Sequence, residues 1–448
     1  MKKKILLINP AYKSSIAEKS RVLSLPPYAL LILATMVKDQ YDVEIVDEAF
    51  EDIDFDAQVD IVGITCLTYT APIAYNICEK FKERGIPTVI GGVHPTIFPE
   101  EASKYADSVV VGEGDEVWST VLEDFENNNL QKIYYVEKRP DIYNLPPLRR
   151  DLLKAKYAIN TIQTTRGCPN RCKYCAVTHL NGGTYRYRNL DKVIEEILLM
   201  KSKHFFITDD NLVGVGKKAE SRAMDFFHRL KGLKKEWAAQ ACISIADQPE
   251  LLEAAREGGA RALLVGIESL NSNTLASYDK AVNIQQDNVD YIKNSIKKIH
   301  DQGIAVIGSF IFSPLYDTFE SIDRTLDFII ENEIDAIQIF LLTPLPGSAL
   351  YNEFEKENKL VLTDFPADWE AYNGFAIVHE TGDMTAEQMY RKMFEVYKKL
   401  STFRASVKRG WKAFRVTKSP MSTGLALFWN RGIYSTLKSV PQLKPYAV

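Results

Sequence analysis

Short apolar runs alternate with amphipathic stretches through the first third of the chain. The runs are three to six residues long, which is typical of strands buried in a parallel sheet. The intervening stretches repeat apolar residues every three or four positions and predict helices. The pattern therefore predicts an α/β unit, a doubly wound parallel sheet of five strands. The predicted strands are Ile5–Ile8, Val43–Val46, Ile61–Cys66, Pro87–Ile90 and Val109–Val111, with helices over Pro27–Lys38, over Pro72–Glu83 and from Asp115.

A second series of strand–helix units fills the middle of the chain. Helical stretches such as Leu251–Glu257 and Val289–His300 separate its apolar runs. The pattern predicts six βα units. The predicted strands are Ile159–Thr164, Phe205–Asp209, Trp237–Cys242, Ala262–Ile267, Val306–Phe312 and Ala336–Leu342.

The end of the chain is predicted to be helical and is basic. Thr385 and Gln388 have the spacing of a capping box. One apolar stripe follows at helical spacing: Met389, Met393, Val396, Leu400, Phe403, Val407, Trp411 and Phe414. From Lys398 onward there are eleven Lys and Arg and no Asp or Glu. Such a segment, with Phe428 and Trp429, either lies on an anionic membrane or packs its stripe on the preceding unit and leaves its charges in solvent.

These patterns divide the chain into four parts. Residues 1–130 are predicted to form the first sheet, and 131–158, which contain several prolines, a connector. Residues 159–347 carry the six βα units, and 348–448 the helical region with its basic end.

Composition narrows the class of protein. The 448 residues carry a net charge of -4, so no overall attraction to nucleic acid is expected. Six cysteines, three of them clustered, fit a metal site in a reducing compartment better than a disulfide scaffold. The N-terminal apolar run is short and ends at Asn9-Pro10, so it is interpreted as a strand rather than a signal peptide. No run reaches the roughly 18 apolar residues of a membrane span. We expect a cytoplasmic protein, peripheral to a membrane if the basic end binds one.

The clustered cysteines follow the first strand of the second series. Cys168, Cys172 and Cys175 are spaced so that one loop can wrap three thiolates around an iron–sulfur cluster. In a cluster of four irons, three thiolate ligands leave one iron without a protein ligand. The alternative is a zinc site that takes His179 as its fourth ligand.

This CxxxCxxC loop, with an aromatic residue before the last cysteine, resembles the signature of the radical S-adenosylmethionine (SAM) enzymes. The resemblance implies a partial (β/α)6 TIM-like barrel, a [4Fe-4S] cluster, SAM bound to the open iron, and an external one-electron reductant. It also implies SAM-binding positions at the strand ends. These are Tyr174, Thr208, Asp209, Asp210, Asn211, Gln240, Glu268, Ser269, Leu345 and Pro346.

The first 130 residues resemble the Rossmann-like cobalamin-binding domain that precedes many radical SAM domains. The resemblance rests on LPPYALLILATM (25–36), GITCLTYT (63–70), GGVHPT (91–96) and VVVGEGDEVW (109–118). It implies cobalamin contacts from Asn9, Pro10, Leu25, Pro26, Thr65, Leu67, Thr68, Tyr69, Gly91, Gly92, Val93, His94, Gly112, Glu113 and Gly114. The Asp-x-His-x-x-Gly motif that supplies a lower axial histidine is absent after the first strand. His94 is expected to contact the cofactor's tail or to occupy a turn.

Together the resemblances imply a cobalamin-dependent radical SAM methyltransferase that acts on an unactivated carbon of a small or lipid-like substrate, without nucleic acid. Both cofactors should face the gap between the domains. Non-methylating rearrangement, cyclisation or oxidation is an alternative. A methylthiotransferase acting on transfer RNA would carry three more cysteines in its N-terminal domain, where this chain has only Cys66 and Cys78. A non-enzymatic cobalamin carrier would not need the cysteine triad.

Overall fold

A computed structural model describes residues 2–12, 24–280 and 288–438. The first ordered unit is one parallel sheet, with strand order β2-β1-β3-β4-β5-β6, and helices on both faces. Its strands are β1 (Lys4–Asn9), β2 (Asp42–Asp47), β3 (Ile61–Thr65), β4 (Thr88–Gly91), β5 (Ser108–Val111) and β6 (Ile133–Tyr135). Its helices are α1 (Tyr28–Met36), α2 (Ala71–Glu83), α3 (Val93–Ile97), α4 (Pro99–Ala102) and α5 (Val117–Glu126).

The sheet has one strand more than the five predicted. Ile133–Tyr135 lies in the segment interpreted as a connector, yet it pairs in parallel with Val109–Val111. Only Tyr134 of the three is buried, so a three-residue edge strand leaves no apolar run for a sequence pattern to detect.

The second unit is an open parallel sheet, with strand order β7-β10-β11-β12-β13-β14. Its six strands match the predicted ones to within a few residues, and a small antiparallel pair, β8 with β9, carries the cysteine loop. The strands are β7 (Asn160–Ile162), β8 (Thr165–Arg166), β9 (Arg186–Tyr187), β10 (His204–Ile207), β11 (Glu236–Ala241), β12 (Ala260–Glu268), β13 (Ala305–Phe312) and β14 (Ala336–Leu341). The helices are α6 (Val177–Asn181), α7 (Leu190–Leu199), α8 (Lys217–Leu230), α9 (Pro249–Glu257), α10 (Ser272–Ser277), α11 (Asn288–Asp301) and α12 (Phe319–Glu331).

The C-terminal region is helical, as predicted: α13 (Ala349–Lys356), α14 (Ala386–Leu400), α15 (Phe403–Thr417) and α16 (Pro420–Leu437). The capping box at Thr385 and Gln388 is confirmed, since each residue's side chain accepts a hydrogen bond from the other's backbone N–H. Among the described residues, no helix combines the length and the apolarity needed to cross a membrane.

The predicted single apolar stripe is wrong beyond Leu400. The helix ends at Leu400, and Thr402 caps a new helix by accepting a hydrogen bond from Ala405 N–H. The first half of the stripe, up to Leu400, is buried in the barrel core, whereas Phe403, Val407, Trp411 and Phe414 are exposed. Helical spacing continues through the break, so periodicity alone could not reveal the change of direction.

Three side chains of the helical region cover the free edge of β14. The Ile337 N–H donates to the Asn430 amide oxygen (3.0 Å), and the Trp429 indole N–H donates to the Ile337 carbonyl (2.9 Å). The Ile339 N–H donates to the Tyr397 hydroxyl (2.9 Å). These three outward-facing backbone groups thus find partners without another strand.

Candidate functional site

The carboxyl ends of both sheets border one cavity of about 430 Å³. Ligands in open parallel α/β sheets bind at this edge. The two strand-end edges therefore meet, as the sequence analysis expects. The first domain contributes Tyr28, Leu30, Leu33, Gly63, Thr65, Val89, Gly91, Gly92, Val93, Thr96, Val110, Gly112, Glu113, Gly114, Asp115 and Trp118, and the second contributes Gln163, Arg166, Leu180, Asn181, Thr208 and Asp210.

Glycines shape the rim of this cavity. Gly92 and Gly112 have φ angles of 110° and 100°, a left-handed conformation that side chains with a Cβ disfavour. A Cβ on Gly92 would lie 2.9 Å from the Cys66 carbonyl oxygen and 3.0 Å from the Cys66 nitrogen. The turn after β4 can therefore close against β3 only with glycine.

The cysteine loop runs from β8 to α6 beside this cavity. The Cys168 N–H donates to the Gly182 carbonyl and the Cys175 N–H to the Cys172 carbonyl, both at 3.1 Å. Gly167 precedes the loop at φ 93°, and its N–H donates to the Asp210 carboxylate at 2.9 Å. Backbone hydrogen bonds thus hold the loop in place before any ligand joins the thiols.

The three thiols are free and partly buried. Burial raises the pKa of all three thiols, and raises that of Cys175 to about 11. Neighbouring thiolates add to the shift of Cys168 and Cys175, and the Glu268 carboxylate adds to that of Cys172. Such a site favours a bound cation, which would stabilise the thiolates. Within the described ranges no three His, Cys, Asp or Glu side chains converge on a single-ion position. The backbone carbonyl of His179, the alternative zinc ligand, accepts a hydrogen bond from Arg139.

An ion cluster joins the cysteine loop to the first domain. Arg166, at the start of the loop, donates to both oxygens of Asp115 at 2.9 and 2.8 Å, and pairs with Glu113. Arg186 on β9 also pairs with Glu113. Arg166 is 7% exposed, and both carboxylates are nearly buried. Sequence reasoning placed Glu113 at the cofactor and missed its two arginine partners, because no local pattern pairs positions 53 and 73 residues apart.

Known proteins share this combination of domains. The Radical SAM superfamily matches residues 162–329, and the B12 binding domain matches residues 17–122. The chain is 31% identical over 372 residues to bacteriochlorophyllide d C-8(2)-methyltransferase of Chlorobaculum tepidum, covering 78% of this chain and 80% of that protein.

The chain belongs to the cobalamin-dependent radical SAM enzymes.

It is also 27% identical over 358 residues to hopanoid C-2 methylase of Rhodopseudomonas palustris, covering 76% of this chain and 66% of that protein. The cobalamin-dependent SAM radical enzyme OxsB, solved with aqua-cobalamin bound, superposes with a TM-score of 0.70 at 15% identity, covering 99% of this chain and 74% of that one. That likeness shows a common fold.

The cavity of this cobalamin-dependent enzyme fits a cofactor with an apolar body and polar groups. Leu30, Leu33 and Val89 form an apolar wall, and Trp118 lies beside them. The Trp118 indole N–H is buried and has no partner among the described residues. An acceptor on a bound cofactor would satisfy that N–H.

Several of the residues implied by the cobalamin resemblance line the cavity: Thr65, Gly91, Gly92, Val93, Gly112, Glu113 and Gly114. The rest lie elsewhere on the domain: Asn9, Pro10, Leu25, Pro26, Leu67, Thr68, Tyr69 and His94. The Asn9 amide, for example, donates to Asp47 at 3.0 Å.

His94 is turned away from the cavity. Its ring is fully buried, with Nε2 2.9 Å from the Tyr75 hydroxyl and 3.1 Å from the Glu101 carboxylate. Trp369, from the C-terminal region, donates to the same carboxylate. The expected contact between His94 and the cofactor's tail therefore gets no support from this placement. The histidine instead helps dock the C-terminal region on the cobalamin domain.

Tyr174 and Glu268, two positions implied for SAM, form a buried network. The Tyr174 hydroxyl donates to Glu268 at 3.0 Å, and Lys280 pairs with the same carboxylate. Glu268 adopts φ 65°, unusual for a residue with a Cβ. A Cβ on Gly266 would lie 2.5 Å from the Glu268 carboxylate and 2.7 Å from the Lys280 ammonium. Sequence reasoning missed Lys280 because its partner Glu268 lies twelve residues earlier in the chain, a separation that gives no local signal.

The four residues Thr208 to Asn211, which follow β10, have two different roles. Asp209 is buried and accepts hydrogen bonds from the backbone of Thr164 and Thr165. Asn211 donates to the Tyr185 hydroxyl and accepts from Cys242 N–H. Both therefore tie strand ends together. Thr208 and Asp210 line the cavity and keep surface for a ligand.

The other implied SAM positions are dispersed around the barrel mouth. Gln240 lies on β11, and its carbonyl accepts a hydrogen bond from Leu212 N–H. Ser269 accepts from Asn271 N–H. Leu345 is exposed and Pro346 buried, in a turn whose Gly347 packs against Ile97 of the cobalamin domain.

Proposed function

We propose that this enzyme transfers a methyl group to an unactivated carbon of a small or lipid-like substrate. The observation that carries the proposal is the single cavity bordered by strand ends of both domains. A reaction that needs a radical and a methyl donor at one carbon requires both sources within reach of one site. The Arg166–Asp115 contact keeps the cysteine loop beside that cavity.

The residues divide into three binding sets. Cys168, Cys172 and Cys175 would ligate the [4Fe-4S] cluster. Tyr174, Thr208, Asp210 and Glu268 would contact SAM. The glycine rim and the apolar wall with Trp118 would hold cobalamin. When bound, the cluster and SAM supply a 5′-deoxyadenosyl radical on receipt of one electron, and cobalamin supplies the methyl group.

The relatives guide the choice of substrate class. Two of them are named for methylation of a bacteriochlorophyllide and of a hopanoid. The proposed substrate class is therefore an apolar, lipid-like small molecule, and nucleic acid has no role as a substrate. We extend the proposal to a cytoplasmic enzyme in peripheral contact with a membrane, where such substrates dissolve.

The test uses the full chain, reconstituted anaerobically with iron, sulfide and cobalamin. It receives a one-electron reductant, SAM with a deuterated methyl group, and lipid extract from cells that lack the enzyme. We expect 5′-deoxyadenosine and S-adenosylhomocysteine to accumulate together, and one extract component to gain the labelled methyl. Formation of 5′-deoxyadenosine without S-adenosylhomocysteine would exclude methyl transfer and favour a rearrangement or oxidation.

A further inference from the structure

Helices α15 and α16 present an apolar face that the rest of the described chain leaves uncovered. The side chain of Phe403 is 75% exposed, that of Trp411 64% and that of Phe428 65%. Val407 and Phe414 are also exposed. Single exposed apolar residues are ordinary, but a group on two packed helices marks an interaction surface. The two helices are in close contact where Gly410 meets Leu427.

Around the circumference of α15 a buried side, an exposed apolar strip and a basic strip follow one another, which is typical of a helix at a membrane interface. Ser406, Gly410, Ala413 and Thr417 form its buried side. Phe403, Val407, Trp411 and Phe414 follow next around the helix at i, i+4, i+8 and i+11. Arg404, Lys408 and Arg415 come one position after three of these apolar residues, so a basic strip borders the apolar one.

The charges around this face have one sign. From Phe403 through Lys438 there are eight Lys and Arg and no Asp or Glu. Within residues 2–12, 24–280 and 288–438, Arg404, Arg415 and Arg431 have no carboxylate partner. Lys418 extends over the Phe414 ring at 5.8 Å. Lys408 and Lys412 pair with Glu333, whereas the three arginines are placed to meet an anionic surface rather than to neutralise the protein's own acids.

We propose that the α15–α16 face, defined as Phe403, Val407, Trp411, Phe414 and Phe428 with Arg404, Arg415, Lys418 and Arg431, docks the enzyme on an anionic phospholipid membrane. The apolar strip enters the boundary between head groups and acyl chains, and the basic strip meets the phosphates. A membrane fits better than a protein groove because the basic strip borders the apolar strip along the length of α15. This docking goes beyond the proposed reaction and does not depend on it.

The test measures partition of the full-length holoenzyme onto vesicles. Vesicles of phosphatidylglycerol and phosphatidylcholine in equal parts are compared with pure phosphatidylcholine. We expect binding to the anionic vesicles, weakened at least tenfold on pure phosphatidylcholine and reduced by raising salt from about 0.1 to 0.5 M, because salt screens the charges. Trp411 supplies the most exposed intrinsic probe among the described residues, since Trp118, Trp237 and Trp369 are buried and the partly buried Trp429 donates its indole N–H to the Ile337 carbonyl. Its emission should shift to the blue on binding, and Trp411→Phe should keep the binding but lose most of the shift.

Matched variants distinguish binding through this face from nonspecific adsorption of the protein to vesicles. Trp411→Glu with Phe428→Glu should weaken binding at least tenfold, whereas Leu198→Glu with Leu199→Glu, at equally exposed leucines on α7, should not. Arg404→Glu with Arg415→Glu should weaken binding, and Lys217→Glu with Lys218→Glu, exposed at the start of α8, should leave it unchanged. Far-ultraviolet circular dichroism identifies any variant that fails to fold.

Two results would overturn the proposal. One is equal vesicle binding by the Trp411→Glu, Phe428→Glu double variant and its leucine control. The other is absence of binding by the full chain, which would mean that another partner covers the face. Sedimentation would then identify a second copy, and a chain ending at Lys438 that gains binding would identify residues 439–448 as the cover.

Discussion

The guanidinium of Arg166 donates hydrogen bonds to both carboxylate oxygens of Asp115, at 2.9 and 2.8 Å, across the boundary between the two domains. Arg166 begins the cysteine loop two residues before Cys168, and Asp115 follows β5 of the cobalamin domain. A planar, bidentate pair fixes orientation as well as distance. The position of the cluster loop relative to the cobalamin cavity is therefore set by this pair.

Loss of this pair should lower the stability of the protein. Arg166→Met leaves Asp115 and Glu113 nearly buried with one cation fewer, so the unfolding free energy should fall by about 3–5 kcal/mol. Urea unfolding measures the loss. Arg149→Met is the control, because Arg149 pairs with an Asp151 that is largely exposed, and its loss should cost at most ~1 kcal/mol. Equal losses for the two variants would contradict a structural role for the Arg166–Asp115 pair.

Removing the three thiols should abolish binding of the cluster and leave binding of cobalamin intact. The variant with Cys168, Cys172 and Cys175 all changed to alanine should lose its iron and form no 5′-deoxyadenosine, because thiolates are the cluster's ligands. It should still bind cobalamin, measured by its visible absorption. Cys78→Ala, at a buried cysteine of the cobalamin domain, is the control and should retain both 5′-deoxyadenosine formation and cobalamin binding. Cleavage of SAM at the wild-type rate by the triple variant would refute the cluster assignment.

Gly92 should tolerate no side chain. Gly92→Ala places a Cβ within 3.0 Å of the Cys66 backbone at φ 110°, so both a clash and conformational strain follow. We expect a stability loss on the order of 3 kcal/mol and at least tenfold weaker cobalamin binding. Gly85→Ala is the matched control, because Gly85 also has positive φ, 70°, but no atom within 4 Å of the added Cβ. It should cost only about 1 kcal/mol and leave cobalamin binding unchanged.

Asp317 should make stability pH-dependent. Burial raises the pKa of this carboxyl to about 6, although hydrogen bonds from Ser313 and Ser321 oppose the shift. The folded state then holds a proton that the unfolded state has lost, so unfolding free energy falls as pH rises from about 4 to 6 and levels off above. Between pH 5 and 8 the loss should be about 1 kcal/mol.

Asp317→Asn removes that titration and keeps an acceptor for Ser313 N–H. The difference in unfolding free energy between wild type and the variant, followed by urea unfolding across this range, isolates Asp317 from other groups. A constant difference from pH 5 to 8 would show that Asp317 does not titrate there.

Periodicity and one cysteine spacing were enough to predict both sheets and the cluster loop, because buried parallel strands are short apolar runs with clear ends. Contacts between distant residues were not accessible in this way. Asp209 and Asn211 match SAM positions in order, yet their side chains hold strand ends together. His94 follows a strand end but faces Tyr75 and Glu101 instead of the cavity. A strand-end position predicts the edge of a sheet on which a residue lies, and the side chain's direction depends on packing.

Because Asn430, Trp429 and Tyr397 bond to the Ile337 N–H, the Ile337 carbonyl and the Ile339 N–H, a strand from a second chain cannot pair with these three backbone groups. Side chains do here what two further strands do in an eight-stranded barrel, and β7 and β14 remain unpaired with each other. The C-terminal helices thus guard an open fold against edge-to-edge aggregation. A barrel left unclosed in this way has a lumen that can admit a molecule wider than eight strands would allow.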